Sequence, residues 1–192
     1  PGVVYKTGKM IYFQSGSAQH KLSRKDLESG LCEAFAKLGE KHKVLVIPPD
    51  YTRLPSRAGE LTEISWEYYG DRLTDILPAL GTHTPMSDAQ IAHMFGKTPA
   101  GLFRDHDWRN DVVTLGRVSA EIVEEVSEYK VHFDWPVQVN KLLVEGNFDL
   151  ILSIGQVVPH EVVGMANYNK NIFVGTGGAE AINKSHYIGA VY

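Results

Sequence analysis

Lys43-Val44-Leu45-Val46-Ile47-Pro48-Pro49-Asp50-Tyr51-Thr52-Arg53 (KVLVIPPDYTR) is the stretch that decides the fold. Lys43–Ile47 is a short, continuous apolar run, which reads as a strand buried on both faces. Pro48-Pro49 cannot extend a ladder. The chain is thereby thrown into a loop that presents Asp50, Tyr51, Thr52 and Arg53. A buried strand succeeded at once by ionisable groups is the pattern to look for elsewhere.

It recurs. Thr74–Leu80 (TDILPAL) reads as a strand, and Gly81-Thr82-His83-Thr84-Pro85-Met86 is the loop after it. Phe148–Ile154 (FDLILSI) reads as the strongest buried strand of the chain, with Gly155 to His160 after it. Helical segments alternate with these runs. Ser23 is an expected N-cap, with Asp26 in the first turn and Gly39 as the stop after Leu38. Ser87 caps Asp88–Phe95 in the same manner, and Glu60–Tyr69 reads as a short helix. Pro136–Glu145 is expected to be a helix with Val139, Leu142 and Leu143 on one face. Ala179–Val191 is expected to be the last helix. Met10–Gln14 reads as a first strand, Asp111–Leu115 as another, and Glu121–Val131 as a strand or hairpin arm. Thr98–Asp111 is irregular, anchored by Trp108.

Strands alternating with helices imply an α/β fold with a mainly parallel, Rossmann-like sheet flanked by helices. Ligands bind such sheets beyond the carboxyl ends of the strands. Loops carrying Asp50 and Arg53, His83, and His160 would converge there.

The composition narrows the function. The chain has 192 residues, 43% hydrophobic and 22% charged, which suits one substantial domain. A net charge of −4 gives no basic footprint for nucleic acid and no polybasic patch for a membrane. No apolar run is long enough to span a bilayer. Pro1–Gly16 shows no export signal. The single cysteine, Cys32, excludes an internal disulfide and reads as a buried small hydrophobe on a helix. Cytoplasm is the default location.

The chemistry is concentrated between Val157 and His186. His160 follows Pro159 at a strand end, and Lys170 lies among asparagines. Gly175-Thr176-Gly177-Gly178 forms a glycine-rich turn, and His186 lies in the last helix. A loop histidine is ordinarily just solvated. His83 and His160 are different in that each sits where a buried strand ends, where an imidazole can serve as a general acid or base near neutral pH. Lys170 is read as a phosphate contact, a base or a covalent attachment point. The glycine turn ahead of a helix resembles an anion cradle, although it matches neither the dinucleotide fingerprint nor a P-loop. His186 has no metal-ligand partner at helical spacing, so an all-protein metal cage is not expected there. His20, His42, His93, His106 and His132 are read as structural or solvated.

These pieces together resemble the LarA family, the nickel-dependent lactate racemases and their 2-hydroxyacid racemase relatives. The matching pieces are Pro49-Asp50-Tyr51-Thr52-Arg53, Gly81-Thr82-His83-Thr84-Pro85-Met86, Pro159-His160, and the spacing of His160, Lys170 and His186. The resemblance covers nearly the whole chain. It implies an isomerase, a racemase or epimerase of a short 2-hydroxyacid such as lactate, working through a nickel-pincer nucleotide (nickel pyridinium-3,5-bisthiocarboxylic acid mononucleotide). It implies that Lys170 tethers the cofactor, that His186 ligates nickel, and that His83 and His160 are the acid/base pair. Asp50 and Arg53 then line the cofactor and substrate site. One departure stands out: Asn167-Tyr168-Asn169 replaces the Gly-Gly-Pro of the better-known lactate racemases. The family chain is about twice as long. The resemblance therefore implies that residues 1–192 are a single N-terminal cofactor-attachment domain, truncated and inactive alone, whose site an absent C-terminal domain completes. The reading set against it is a noncatalytic α/β domain that binds an anionic nucleotide or sugar phosphate through Gly175–Gly178.

Overall fold

The computed structural model describes residues 10–191. They form, in order, α1 (Arg24–Leu38), β1 (Val44–Ile47), α2 (Ala58–Tyr69), β2 (Leu73–Ile76), α3 (Asp88–Phe95), β3 (Val112–Val118), α4 (Ala120–Val126), β4 (Trp135–Asn140), α5 (Leu142–Glu145), β5 (Leu150–Ser153), β6 (Pro159–His160), β7 (Gly164–Met165), α6 (Asn169–Phe173) and α7 (Ala179–Val191). The chain divides into two compact units, Pro1–Lys41 and His42–Tyr192.

The first unit contains α1. Ser23 caps it reciprocally: Asp26 N–H donates to Ser23 Oγ at 3.3 Å, and Ser23 N–H donates to Asp26 Oδ2 at 2.7 Å. Gly39, at φ 74°, closes the other end. Cys32 is half-buried rather than buried. Met10–Gln14 is not a strand. The segment has no paired neighbour to satisfy a ladder. Phe13 instead lies over Gly30, where a Cβ would meet its ring at 2.4 Å.

The second unit is built on β1. It is the centre of a three-stranded parallel sheet, in the order β2-β1-β5. Val44 pairs with Leu73 on one side and Leu150 on the other, and Ile47 pairs with Ser153. Every residue of β1 is fully buried, as its unbroken apolar run requires. Each such side chain contributes about 1.5–3 kcal/mol through removal from water. Leu45 and Ile47 pack with Leu77, Leu142, Leu143, Phe148 and Ile172. A second cluster, Ala58, Met94 and Phe95, gathers Tyr51, Leu54, Phe103 and Ile154 and locks α2 and α3 together.

Hydrogen bonds beyond the ends of the strands send three loops out of one sheet edge. Leu77 N–H donates to Val46 O at 2.9 Å and Ala79 N–H to Pro48 O at 2.8 Å. The chain after β2 therefore runs beside the chain after β1. Ile154 N–H likewise donates to Ile47 O at 3.0 Å, so the chain after β5 leaves from the same edge.

The structure corrects several local expectations. β5 is an edge strand with alternating exposure, so Phe148–Ile154 is not buried on both faces. Trp135–Asn140 is a strand, paired antiparallel with β3, and only Leu142–Glu145 of the expected helix is helical. Val137 and Val139 alternate with polar neighbours, and Pro136 is tolerated because the ribbon has only two strands. Glu121–Val131 is not a hairpin arm. Its first half is α4, which buries Val123 and has Ala120 N–H held by Asp134 Oδ1 at 3.0 Å. None of the described helices is long and apolar enough to cross a membrane.

Candidate active site

The loop after β1 begins the site. Asp50 starts a 3-10 turn, Tyr51–Ser56, and caps it with one carboxylate oxygen. Oδ1 accepts from Thr52 N–H at 3.1 Å and from Thr52 Oγ1 at 2.5 Å. Capping leaves Oδ2 free for a partner from another loop. That partner is His83, whose Nδ1 lies 2.5 Å away. A carboxylate only accepts, so Nδ1 carries a proton, and in the neutral ring Nε2 keeps its lone pair. Asp50 is buried, whereas the His83 side chain is 58% exposed. The open nitrogen is thus held at a fixed angle by a buried base. The turn after β2 that delivers His83 needs Gly81 at φ 55°. It is pinned by Gly81 N–H donating to Gly175 O at 2.8 Å.

His160 is set the opposite way. It lies in the short β6–β7 hairpin and its side chain is only 8% exposed. Val162 and Val163 N–H donate to its Nδ1 at 3.1 and 3.3 Å. In the neutral ring the proton therefore sits on Nε2. Burial, then the neighbouring Lys170, then Arg53 and His186 hold its pKa below the ordinary histidine value, with Glu161 opposing them. The hairpin rests on α7 through Gly189, where a Cβ would come within 2.1 Å of Val162 O.

α7 carries His186. Its Nδ1–H donates to Ile182 O, one turn back, at 2.8 Å. This leaves Nε2 as a lone-pair donor, the state in which a histidine binds metal when its other nitrogen is fixed by a carbonyl. The rings of His160 and His186 meet edge to face, with centroids 6.4 Å apart. Among the described residues no group of three or more His, Cys, Asp or Glu converges to hold a metal ion. A metal at His186 would take its remaining donors from a cofactor or another segment.

Lys170 sits on α6, half-buried. Burial, and after it the charge of Arg53, push its amine below the ordinary lysine range. A larger neutral fraction is the condition a nucleophilic or covalently attached lysine needs. Asn167 and Tyr168, just before α6, both have positive φ, 58° and 54°. Glycine takes that backbone freely, which is where this chain departs from the Gly-Gly-Pro pattern.

All six residues singled out in the sequence, Asp50, Arg53, His83, His160, Lys170 and His186, line one cleft of about 370 Å³ at the carboxyl edge of the sheet. Sequence reasoning missed other members of its wall: Thr52, Glu161, Asn167 and Asn171. Thr52 precedes Arg53, Glu161 follows His160 and Asn171 follows Lys170, so adjacency to a site residue was the available signal for these three, whereas Asn167 lies three residues before Lys170. The glycine turn is the clearest correction. The N–H groups of Gly175, Thr176 and Gly177 donate to Lys170 O, Ile172 O and Val174 O at 2.8, 3.2 and 3.2 Å, so they cradle no anion. A Cβ at Gly177 would come within 2.4 Å of Phe173 O, and one at Gly178 within 2.5 Å of Gln138 Oε1. The turn is glycine-rich to pack closely. The buried His106 locks it, with Nε2–H donating to Gly177 O at 2.9 Å and Nδ1 accepting from Asn140 Nδ2 at 3.0 Å.

Fold and cleft together define an α/β domain with imidazole, amine and guanidinium groups gathered beyond its parallel strands. The sequence profile of the lactate racemase N-terminal domain matches residues 25–191. The chain belongs to that family. Its fold is similar to a crystal structure of a protein from Thermotoga maritima, at 26% identity and a TM-score of 0.74, over 88% of this chain and 41% of that one. It is also similar to the lactate racemase apoprotein of Thermoanaerobacterium thermosaccharolyticum, at 21% identity and a TM-score of 0.56, over 84% of this chain and 34% of that one. The chain therefore spans less than half the length of either structure. No curated protein matches it in sequence.

Proposed function

We propose that this domain forms half of the active site of a 2-hydroxyacid racemase or epimerase that works with a nickel-pincer nucleotide. The observation that carries the proposal is the single cleft into which separate loops bring His83, His160, Lys170, Arg53 and His186. The residues fit the cofactor. Lys170 offers a half-buried amine of lowered basicity for a covalent tether, and His186 offers an oriented lone pair for the metal. When bound, the cofactor supplies a reversible acceptor for the C2 hydrogen of the substrate.

The protein's own groups supply the rest. Arg53 pairs with the substrate carboxylate and fixes its orientation. His83 Nε2 takes the hydroxyl proton, and the Asp50 carboxylate stabilises the resulting imidazolium. His160 Nε2–H donates a hydrogen bond to the same oxygen, and the proton held on the His83 imidazolium is the one returned to that oxygen as the inverted product forms. The resting tautomers thus furnish one acceptor and one donor. The short hairpin that carries His160 keeps that nitrogen out of bulk water. The solved structures this chain resembles are more than twice as long, and in this reading a further domain completes the substrate contacts.

The test uses the full-length protein loaded with cofactor and single enantiomers of short 2-hydroxyacids, with the products resolved by chiral chromatography. The proposal expects inversion of at least one acid, abolished by His83→Ala. An inverting His83→Ala variant would refute the assignment, and no inversion of any 2-hydroxyacid would refute the function.

A further inference from the structure

Two asparagines near Lys170, Asn171 on α6 and Asn167 just before it, have amides that reach beyond the segment that carries them. Asn171 is buried. Its Nδ2 donates to Ile47 O, the last carbonyl of β1, at 2.8 Å, and to Ser153 Oγ, at the end of β5, at 3.1 Å. Both hydrogens of the amide are used, and the carbonyl partner fixes which end of the side chain carries the nitrogen. Asn167 braces the preceding turn. Its Nδ2 donates to Gly155 O at 2.9 Å, across a gap that leaves no room for a Cβ at Gly155.

The support matters because α6 cannot hold itself. It has five residues, too few for a self-sustaining helix. Tyr168 at its start makes no side-chain cap and has φ 54°, ψ −140°, a backbone that non-glycine residues rarely adopt. Left to itself, a single turn entered through such a strained residue would not direct a long lysine side chain inward. The two strand ends that Asn171 touches are the ones from which the Asp50–Arg53 loop and the Gly155–His160 loop depart. One amide therefore sets the lysine against both.

We propose that Asn171 is a positioning residue for Lys170: its amide clamps α6 to the carboxyl ends of β1 and β5 and so turns the amine into the cleft, beside Arg53 and His160. The inference rests on the reading of Lys170 as the tethering amine, and it names the residue that makes Lys170 competent. Asn167 contributes the second brace.

The test uses the full-length, cofactor-free protein. Lysine reactivity toward acetic anhydride is measured by peptide mass spectrometry across a pH series, for wild type, Asn171→Ala, Asn171→Asp and a control, Asn183→Ala, on the exposed side of α7. Circular dichroism reports folding. In wild type, Lys170 should acetylate at lower pH than the exposed lysines. Both Asn171 variants should move its profile up toward theirs, while Asn183→Ala stays with wild type. Covalent loading with the cofactor, read by intact mass, should slow by about ten- to a hundredfold in the Asn171 variants, the cost of misplacing a reacting group. Folded variants with an unchanged Lys170 profile and unchanged loading would overturn the proposal. Asn171→Asp keeps the shape of the side chain and so decides the matter if Asn171→Ala does not fold. If the profile shifts while wild type never gains the cofactor mass, the clamp stands and the tethering role of Lys170 fails.

Discussion

Replacing Asp50 with Asn probes the cleft at its most informative contact. The carboxylate accepts from Thr52 with one oxygen and from His83 Nδ1 with the other. An amide can keep the first set but presents N–H to the imidazole in place of the second. His83 must then turn its lone pair toward residue 50 and carry its proton on Nε2, and it must give up that contact before it can take a proton from substrate. A hydrogen bond to a charged group contributes about 1.5–3 kcal/mol. With the His83 side chain 58% exposed, the low end applies, because water compensates part of the loss. About 1.5 kcal/mol corresponds to roughly a tenfold fall in kcat. The fall should appear in kcat more than in KM, since Arg53 is untouched. Nitrogen-15 NMR of the labelled histidines in the full-length protein reads the tautomer directly. Wild-type His83 should be protonated at Nδ1 and Asp50→Asn at Nε2. An unchanged tautomer with unchanged kcat would refute the claim that Asp50 orients His83.

The same geometry sets further outcomes. Lys170→Ala should abolish the covalent mass increment of the loaded full-length protein, and an increment that survives would place the tether elsewhere. Leu45→Ala, at the centre of β1, should cost about 2–5 kcal/mol in urea unfolding, whereas Leu115→Ala, on an exposed position of β3, should cost little. Burial lowers the His106 pKa, so the folded state binds fewer protons than the unfolded chain once the pH drops below the ordinary histidine value of about 6.5. Its contribution to stability is fully present above that pH and is lost as the pH falls through the lowered folded value. His160 adds a shift of the same sign. Urea midpoints measured from about pH 7.5 down to 5 should therefore decline below 6.5, and His106→Gln should shallow that decline. A midpoint that stays flat across this range would contradict the buried, neutral state of His106.

Structure is legible in this sequence where one local rule decides it. Val44–Ile47 admits no polar face, so it is central and buried. Ser23 and Ser87 carry capping boxes that mark helix starts within four residues. His83 and His160 stand out because each comes after an apolar run that forms a strand of the parallel sheet, a position at which ligands meet such sheets. Legibility fails where two periods compete. Trp135–Asn140 has β-branched residues in alternation, but its proximity to Leu142 and Leu143 suggests a helical face, and pairing with β3 settles it as a strand. The glycine turn resembles an anion site in sequence because its partners, Phe173 O and Gln138, are apparent only in three dimensions. The same is true of the orienting contacts. Asp50 and His83 are 33 positions apart, and Asn171 and Ile47 are 124. Residue type and local spacing can nominate a lysine or an imidazole, but not the distant group that aims it.

How hydrogen moves at C2 is the most direct test of the roles given to the cleft. The full-length, cofactor-loaded protein should be given one enantiomer of a 2-hydroxyacid deuterated at C2, in ordinary water, and the inverted product examined by chiral chromatography and mass spectrometry. If the histidines handle only the oxygen-bound proton and C2 hydrogen returns from the cofactor, the inverted product keeps its deuterium. Inversion with loss of deuterium to solvent would mean that a base in the cleft abstracts from carbon, and would contradict the roles given to His83 and His160.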